Sequence, residues 1–423
     1  MKLVLYIFFA LLITCTLNSQ SITSLKNRFN TYLNFNGSLN SQVAFSDNSV
    51  SILSAGKPEF TVFTDEQQTF SLLLTSLKPS DFTSIYTWKK NKHLTNKQLD
   101  SLTNTIKTEK KTNLSLAGKK IAIDPGHFAG NMDVARIEQK FLDFTPTPAN
   151  GLKDTIRISE GILTYETADI LKHKLEEQGA IVFMTRPKQN YTSFQITYDE
   201  WFNTKRLNVF DSLNKAGAMD LARKNKLIKL SKNKLFWEFF RDYELLERSR
   251  IINEFKPDIT IIIHYNVDEK NTDWKNPTHK NYTMTFIGGG MTGDNLSKQI
   301  NKNHFLRLLL SNQLNESEKL SSLTVNEFHK QMNIPIAKQH DASYLSENCL
   351  KTPSPGVFCR NLVLCRTINS TLVYGECLYQ DNINECVNLN KSDLLIYEQK
   401  VPKRIYEAAN CYYNAINMYF SNQ

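Results

Sequence analysis

The chain has 423 residues, of which 41% are hydrophobic and 22% charged. That composition is globular, with ample material for a core, and excludes a chain too polar to fold; the length fits two compartments or one large domain with insertions. A formal charge of +9 fits an acidic partner such as a cell-wall polymer or a membrane surface, and fits equally a plain abundance of scattered lysines; no nucleic-acid-binding motif accompanies it.

The chain opens with MKLVLYIFFALLITC. One lysine precedes an apolar run from Leu3 to Ile13 that is too short to span a bilayer, so residues 1–19 read as a signal peptide. Cys15 follows Leu12-Ile13-Thr14 in a loose likeness of a lipoprotein processing site, and cleavage near Ser19-Gln20 is the alternative. The mature protein is therefore expected to be exported to the periplasm or cell envelope. Membrane contact is expected only if Cys15 carries lipid. Residues 20–114 are rich in serine, threonine and asparagine, with short apolar stretches at 60–63 and 70–74, and predict a small N-terminal module of unassigned role. The charged run Lys107–Lys111 reads as its linker to a second unit over 115–423.

From Lys119 the pattern alternates between strand and helix, which predicts an α/β fold. Six strand-like runs stand out, at Lys120–Asp124, Ala180–Thr185, Ile259–His264, Tyr282–Ile287, Leu362–Arg366 and Thr371–Gly375. They are continuously apolar, as in a twisted, roughly six-stranded sheet flanked by helices on both faces. A helix should start at Ser159, a good N-cap, carry Ala168, Leu171 and Leu175 on its buried face, and stop at Gly179. Two helical segments look like insertions, at about 188–246 and 295–335. The first bears a stripe of Leu235, Phe236, Phe239, Phe240 and Tyr243, which reads as core or interface. Six cysteines (Cys349, Cys359, Cys365, Cys377, Cys386 and Cys411) lie in the last quarter, and in an exported protein they predict one or more disulfides. Cys377 as a nucleophile lacks an evident base.

Ligands in open α/β sheets bind beyond the carboxyl ends of the strands. His127 lies just past the first strand in KKIAIDPGHFAG. His264 closes the third in ITIIIHYN, and Glu376 follows the last in TLVYGEC. Glu160 opens the helix that follows the first strand. Two histidines and a carboxylate with an open position make a catalytic zinc site, one ion per chain, and a further carboxylate then moves protons. Taken singly, each residue also has a bland reading as a loop residue, a core histidine or a helix-terminus charge, so spacing alone leaves both readings standing.

Four motifs together resemble the zinc-dependent N-acetylmuramoyl-L-alanine amidases of the amidase type 3 family, over about Lys119 to Leu389. IAIDPGH resembles the family's first strand and histidine ligand. Glu160, then Gly179 and VFMTR, resemble its first helix and second ligand. ERSRIINEFKPDITIIIHYN resembles the segment holding the third ligand, and places Arg248, Asn253, Asp258, His264 and Asn266. LVYGECLYQDN resembles the closing strand, with Glu376 and Asn382.

The resemblance implies an exported peptidoglycan hydrolase. Its zinc ligands would be His127, Glu160 and His264, with Glu376 catalytic and Arg248 and Asn266 supporting. It also implies partnership with peptidoglycan and with an activating septal or envelope protein. Departures are Phe128 and Ala129 in place of the family's two glycines, and Ile262 and Tyr265 in place of small residues, which predict a tighter cleft floor. A long stretch before Glu160 keeps Glu138 in view as an alternative second ligand. Some relatives plug the site with an inserted helix bearing a glutamate, a role that would fall here to Glu316, Glu318 or Glu327. Two rival readings are a non-catalytic binder of peptidoglycan or of a partner, and a zinc hydrolase of another amide.

Overall fold

A computed structural model describes residues 20–103, 116–272 and 274–421. The expected signal peptide, with Cys15, and the expected linker Lys107–Lys111 lie outside the described residues. No helix among the described residues is long and apolar enough to cross a membrane.

The centre is a seven-stranded mixed sheet. In chain order its strands are β1 (Lys120–Pro125), β2 (Ile181–Met184), β3 (Ile259–Asn266), β4 (Met284–Ile287), β5 (Cys349–Lys351), β6 (Val357–Arg360) and β7 (Thr371–Tyr379). Across the sheet the order is β5-β6-β4-β7-β3-β1-β2. The pairs β7–β3, β3–β1, β1–β2 and β6–β4 are parallel, while β7–β4 and β5–β6 are antiparallel. After β1 the chain crosses to β2 on one side, and it then returns to β3 on the other. The strand order therefore reverses between β1 and β3, which opens a crevice beyond their carboxyl ends.

Alternation along the strands divides the core between the two faces. Ile261, Ile263 and Tyr265 of β3 and Val373 of β7 pack on one face, against Leu163, Leu171, Leu320 and Tyr412. Ile262 and Leu372 face the other way, beside Ile252 and Leu364. The first face is covered by α1 (Glu160–Glu177), by a helix at Gln313–Met332 and by the C-terminal helix Lys403–Ser421. Helix α1 forms where expected: Ser159 is its N-cap residue, and the chain turns away at Gly179 with φ 83°.

Leu362–Arg366, expected as a strand, is instead part of a short helix, Val363–Thr367. A run of four to eight apolar residues does not separate a buried strand from a buried helical turn, and here Leu364 and Cys365 are the positions that bury. The strands β5 and β6 lie at the other end of the sheet.

Residues 20–103 fold as a three-stranded antiparallel sheet with short helices around it. Their aromatic side chains share one core with the sheet's flank. Phe29 meets Phe305 edge-on, with ring centroids 6.3 Å apart, and the same cluster takes in Phe60, Phe70, Leu308 and Cys359. The helix Gln299–Leu310 lies between the two layers, and every residue from Asn303 to Leu310 is buried. Burial around the whole circumference marks such a position, and it takes in the polar side chains of Asn303, His304 and Arg307 as well as the apolar ones.

The expected disulfides do not form, since all six described cysteines are buried free thiols. Cys349 and Cys359 lie on neighbouring strands but pack into different core clusters. Cys377 sits against the Tyr412 hydroxyl at 3.2 Å, and burial holds its thiol well above the usual range.

Candidate active site

Strand β1 ends at Pro125, and the backbone N–H of Gly126 bonds to the carbonyl of Ile263 at the end of β3. No side chain fits at Gly126, because a Cβ there would lie 2.3 Å from the His264 ring. The next residue, His127, adopts φ 56°, in the left-handed region that non-glycine residues rarely occupy. This is how Asp-Pro-Gly turns an imidazole over the sheet edge.

The turn is held by buried charge. Arg248 donates to the carbonyls of Pro125 (2.9 Å) and His127 (3.2 Å) and pairs with Glu244 (2.7 Å) and Asp124 (3.3 Å). Burial opposes the charge on Arg248, but Asp124 and Glu244 outweigh it and keep the guanidinium protonated. Arg186, buried beside it, donates to Pro125 O at 3.1 Å. The expected supporting role of Arg248 therefore takes the form of a backbone clamp.

The four residues proposed for chemistry meet in the crevice. His127, Glu160 and His264 each offer a ligand atom, and these atoms lie within 4.8 Å of one another. Glu160 Oε1 is 3.4 Å from His127 Nε2 and 3.1 Å from His264 Nδ1. The two imidazoles meet edge to face at 5.0 Å, and His264 stacks on Tyr374 at 4.5 Å. Glu160 Oε2 receives Gln380 Nε2 at 3.2 Å and faces Lys140 Nζ at 3.8 Å. Glu376 is in register with His264 on the adjacent strand. Its Oε2 is buried and has no hydrogen-bond partner among the described residues.

Glu138 lies outside that three-residue group. Its Oε2 accepts the backbone N–H groups of Phe128 (3.2 Å) and Ala129 (2.9 Å), while its Oε1 sits 3.4 Å from His127 Nδ1. It therefore faces the nitrogen of His127 opposite the one facing Glu160. That is the arrangement by which a carboxylate orients a metal-binding imidazole.

The protonation states follow from these contacts. Burial works against a charged His127, but Glu160 and Glu138 outweigh it and raise the group to about 9. Burial lowers His264 to about 4, despite Glu160 beside it. Burial would push Glu160 up, yet His127 and Lys140 hold it well below the usual carboxylate range. Glu376 is raised to about 8, first by burial and then by the charge of Glu160. The arrangement thus comprises an ionised carboxylate between a cationic His127, whose proton a metal ion would displace, and a neutral His264, with the Glu376 carboxyl group favoured in its protonated form by burial. These donors suit zinc, which takes imidazole nitrogen and carboxylate oxygen and leaves a fourth position open in catalytic sites.

Other expectations land elsewhere. Asn266 donates to the Tyr344 hydroxyl and accepts from the Val267 N–H. Asn253 bonds the backbone at Thr367 and Asn369, Asp258 accepts from Lys120 N, and Asn382 caps the helix Ile383–Leu389. Glu316, Glu318 and Glu327 do not join the site. Their helix, Gln313–Met332, packs Leu320 and Phe328 into the core of the face that carries α1. Their carboxylates receive Tyr419, Tyr32 and Asn414 respectively. Tyr265 does not tighten the cleft floor either, because its hydroxyl bonds Thr167 of α1.

A cleft of about 380 Å³ opens onto His127 and His264, within the range of small-ligand sites. One wall comes from the first inserted segment, through Phe236, Trp237, Arg241 and Leu245, and the other from Leu362–Leu364. A cleft of about 450 Å³ elsewhere, lined by Lys119, Lys120 and Lys256, contains none of these four residues. Phe128, where the resemblance expects a glycine, packs against Phe236 and Phe240 at about 6 Å. Sequence reasoning missed Lys140 and Gln380, whose only signal was adjacency to a strand end. The close approach at Gly126 was also missed, although its glycine was in view.

The Amidase_3 family, described as N-acetylmuramoyl-L-alanine amidase, matches residues 121–411. No curated protein matches the chain. Similar solved structures include the amidase Ami1 from Mycobacterium smegmatis, at 12% identity over 73% of this chain and all of that one, with a TM-score of 0.39. The CwlD amidase from Clostridioides difficile, solved in complex with the GerS lipoprotein, shares 15% identity over 72% of this chain and all of its own, with a TM-score of 0.36.

Proposed function

The chain belongs to the N-acetylmuramoyl-L-alanine amidase family, and from that premise we propose that it hydrolyses the amide joining the lactyl group of N-acetylmuramic acid to L-alanine in peptidoglycan, with one zinc ion. The observation that carries the reading is the meeting of His127, Glu160 and His264, with Glu376 in register with His264 on the adjacent strand and its Oε2 buried without a hydrogen-bond partner among the described residues. A zinc ion bound there supplies Lewis acidity and lowers the pKa of bound water toward 7.

The chain's own residues divide the remaining work. Glu160 keeps its negative charge between the two imidazoles, and Glu138 fixes the orientation of His127. The carboxylate of Glu376 accepts the proton from the attacking water and returns it to the departing amine nitrogen. A positioned group of this kind contributes about 10²–10⁴-fold. Arg248 and Gly126 preserve the geometry, one by clamping the turn and the other by admitting the His264 ring. Peptidoglycan lies outside the cytoplasmic membrane, so the reading includes export through the apolar N-terminal run.

The test is digestion of purified peptidoglycan by residues 20–423 with zinc, alongside Glu376→Gln, with products identified by mass spectrometry. The expected products are free stem peptides with L-alanine at the amino terminus, absent from the variant digest. Protein that sediments with the wall and releases no peptide would contradict hydrolysis and identify a binding protein.

A further inference from the structure

The first inserted segment supplies more to the cleft than packing. A π-helical turn at Phe236–Phe240 runs into the helix Arg241–Phe255. Phe236 and Phe240 turn inward and are buried. Trp237 and Arg241, four residues apart and so neighbours on one helical face, line the cleft instead. The Trp237 indole is fixed in orientation because its N–H donates to the carbonyl of Ile137 at 3.1 Å, yet the residue remains 37% exposed. The Arg241 guanidinium lies over that indole, 5.3 Å from the ring centroid. Only its Nε is engaged, by the exposed neighbour Asp242 at 2.9 Å. Its two terminal nitrogens bond nothing among the described residues. A second cation, Lys140, lines the same cleft, as do the carboxylates of Asp242, Glu138 and Glu244, of which Glu138 and Glu244 already face His127 and Arg248.

We propose that Trp237 and Arg241 form a subsite that recognises a free carboxylate on the peptide part of the substrate. An arginine held over an aromatic ring loses little freedom on binding and presents a planar pair of donors that matches a carboxylate. The glycan offers no such group, because the lactyl carboxyl of muramic acid is consumed in the scissile amide and N-acetyl sugars are neutral. Free carboxylates therefore lie on the peptide, on the far side of the bond to be cut. The proposal rests on the amidase reading and assigns the peptide to the wall built by the insertion.

Calorimetric titration of the Glu376→Gln protein with an N-acetylmuramoyl dipeptide of L-alanine and D-glutamate separates the possibilities. The ligand is used with both glutamate carboxylates free and with both amidated. The free acid is expected to bind about 10- to 100-fold more tightly, the range of a charge-assisted pair. Adding Arg241→Gln should bring the ratio to near one with an unchanged melting temperature, while Arg241→Lys should retain part of it. A ratio near one in the parent, a ratio that survives Arg241→Gln, or no binding of either ligand would overturn the subsite. Release of stem peptides from whole peptidoglycan by the unmutated protein decides separately whether the amidase reading stands.

Discussion

The two helical segments expected as insertions look alike in sequence, yet only the first reaches the cleft. Each presents an apolar stripe at helical spacing. The first packs Phe236 and Phe240 on Phe128, the residue after His127, and lends Trp237 and Arg241 to the cleft. In the second, Phe305 packs on Phe29 of the N-terminal residues, while Leu320 and Phe328 fill the core of the sheet face that carries α1. An amphipathic stripe states that a helix is covered. What covers it is decided by residues distant in sequence, here Phe128 in one case and Phe29 in the other.

The comparison is tested most strongly by a matched pair of truncations. Phe328→Ala and Phe128→Ala should each cost about 3–5 kcal/mol in urea unfolding. Only Phe128→Ala should also weaken zinc binding, because it loosens the turn that holds His127. Equal zinc affinity in the two variants would erase the distinction between the segments. Next in size is Glu138→Gln, which leaves both segments intact and removes the charge facing His127 Nδ1. It should lower metal affinity about 10- to 100-fold in a competition titration with a chelator, as other orienting carboxylates do. The smallest effect is expected at Glu318→Gln. The loss of a charged acceptor for the Tyr32 hydroxyl and Ser354 N–H should cost about 1–3 kcal/mol and leave peptidoglycan turnover unchanged. A rise in turnover would revive the idea that this helix plugs the site.

Much of this site was legible from strand ends alone. Continuous apolar runs located β1, β3 and β7, and the polar residues at or just beyond their ends, His127, His264 and Glu376, proved to be neighbours. Helix α1 was readable because Ala168, Leu171 and Leu175 recur on its buried face and Gly179 stops it, although the Ser159 hydroxyl bonds the Ala129 carbonyl instead of capping the helix. What could not be read depends on long-range contacts. Glu138 looked like an alternative ligand until the backbone of Phe128 and Ala129 was seen to occupy its other oxygen. Leu362–Arg366 read as a strand because its apolar run carries no period, and β5 and β6 were missed just before it, although β6, at four residues, is no shorter than β2 and β4. The cysteines misled because even numbers and export say nothing about which core each thiol enters.

Metal analysis after dialysis against buffered zinc tests the central claim most directly, with the unmutated protein, His264→Ala and Glu376→Gln compared at matched fold by circular dichroism. The account predicts one zinc per chain in the unmutated protein and in Glu376→Gln, and none retained by His264→Ala. Zinc retained by His264→Ala, or lost from Glu376→Gln, would contradict the division of this site into three ligands and one proton carrier.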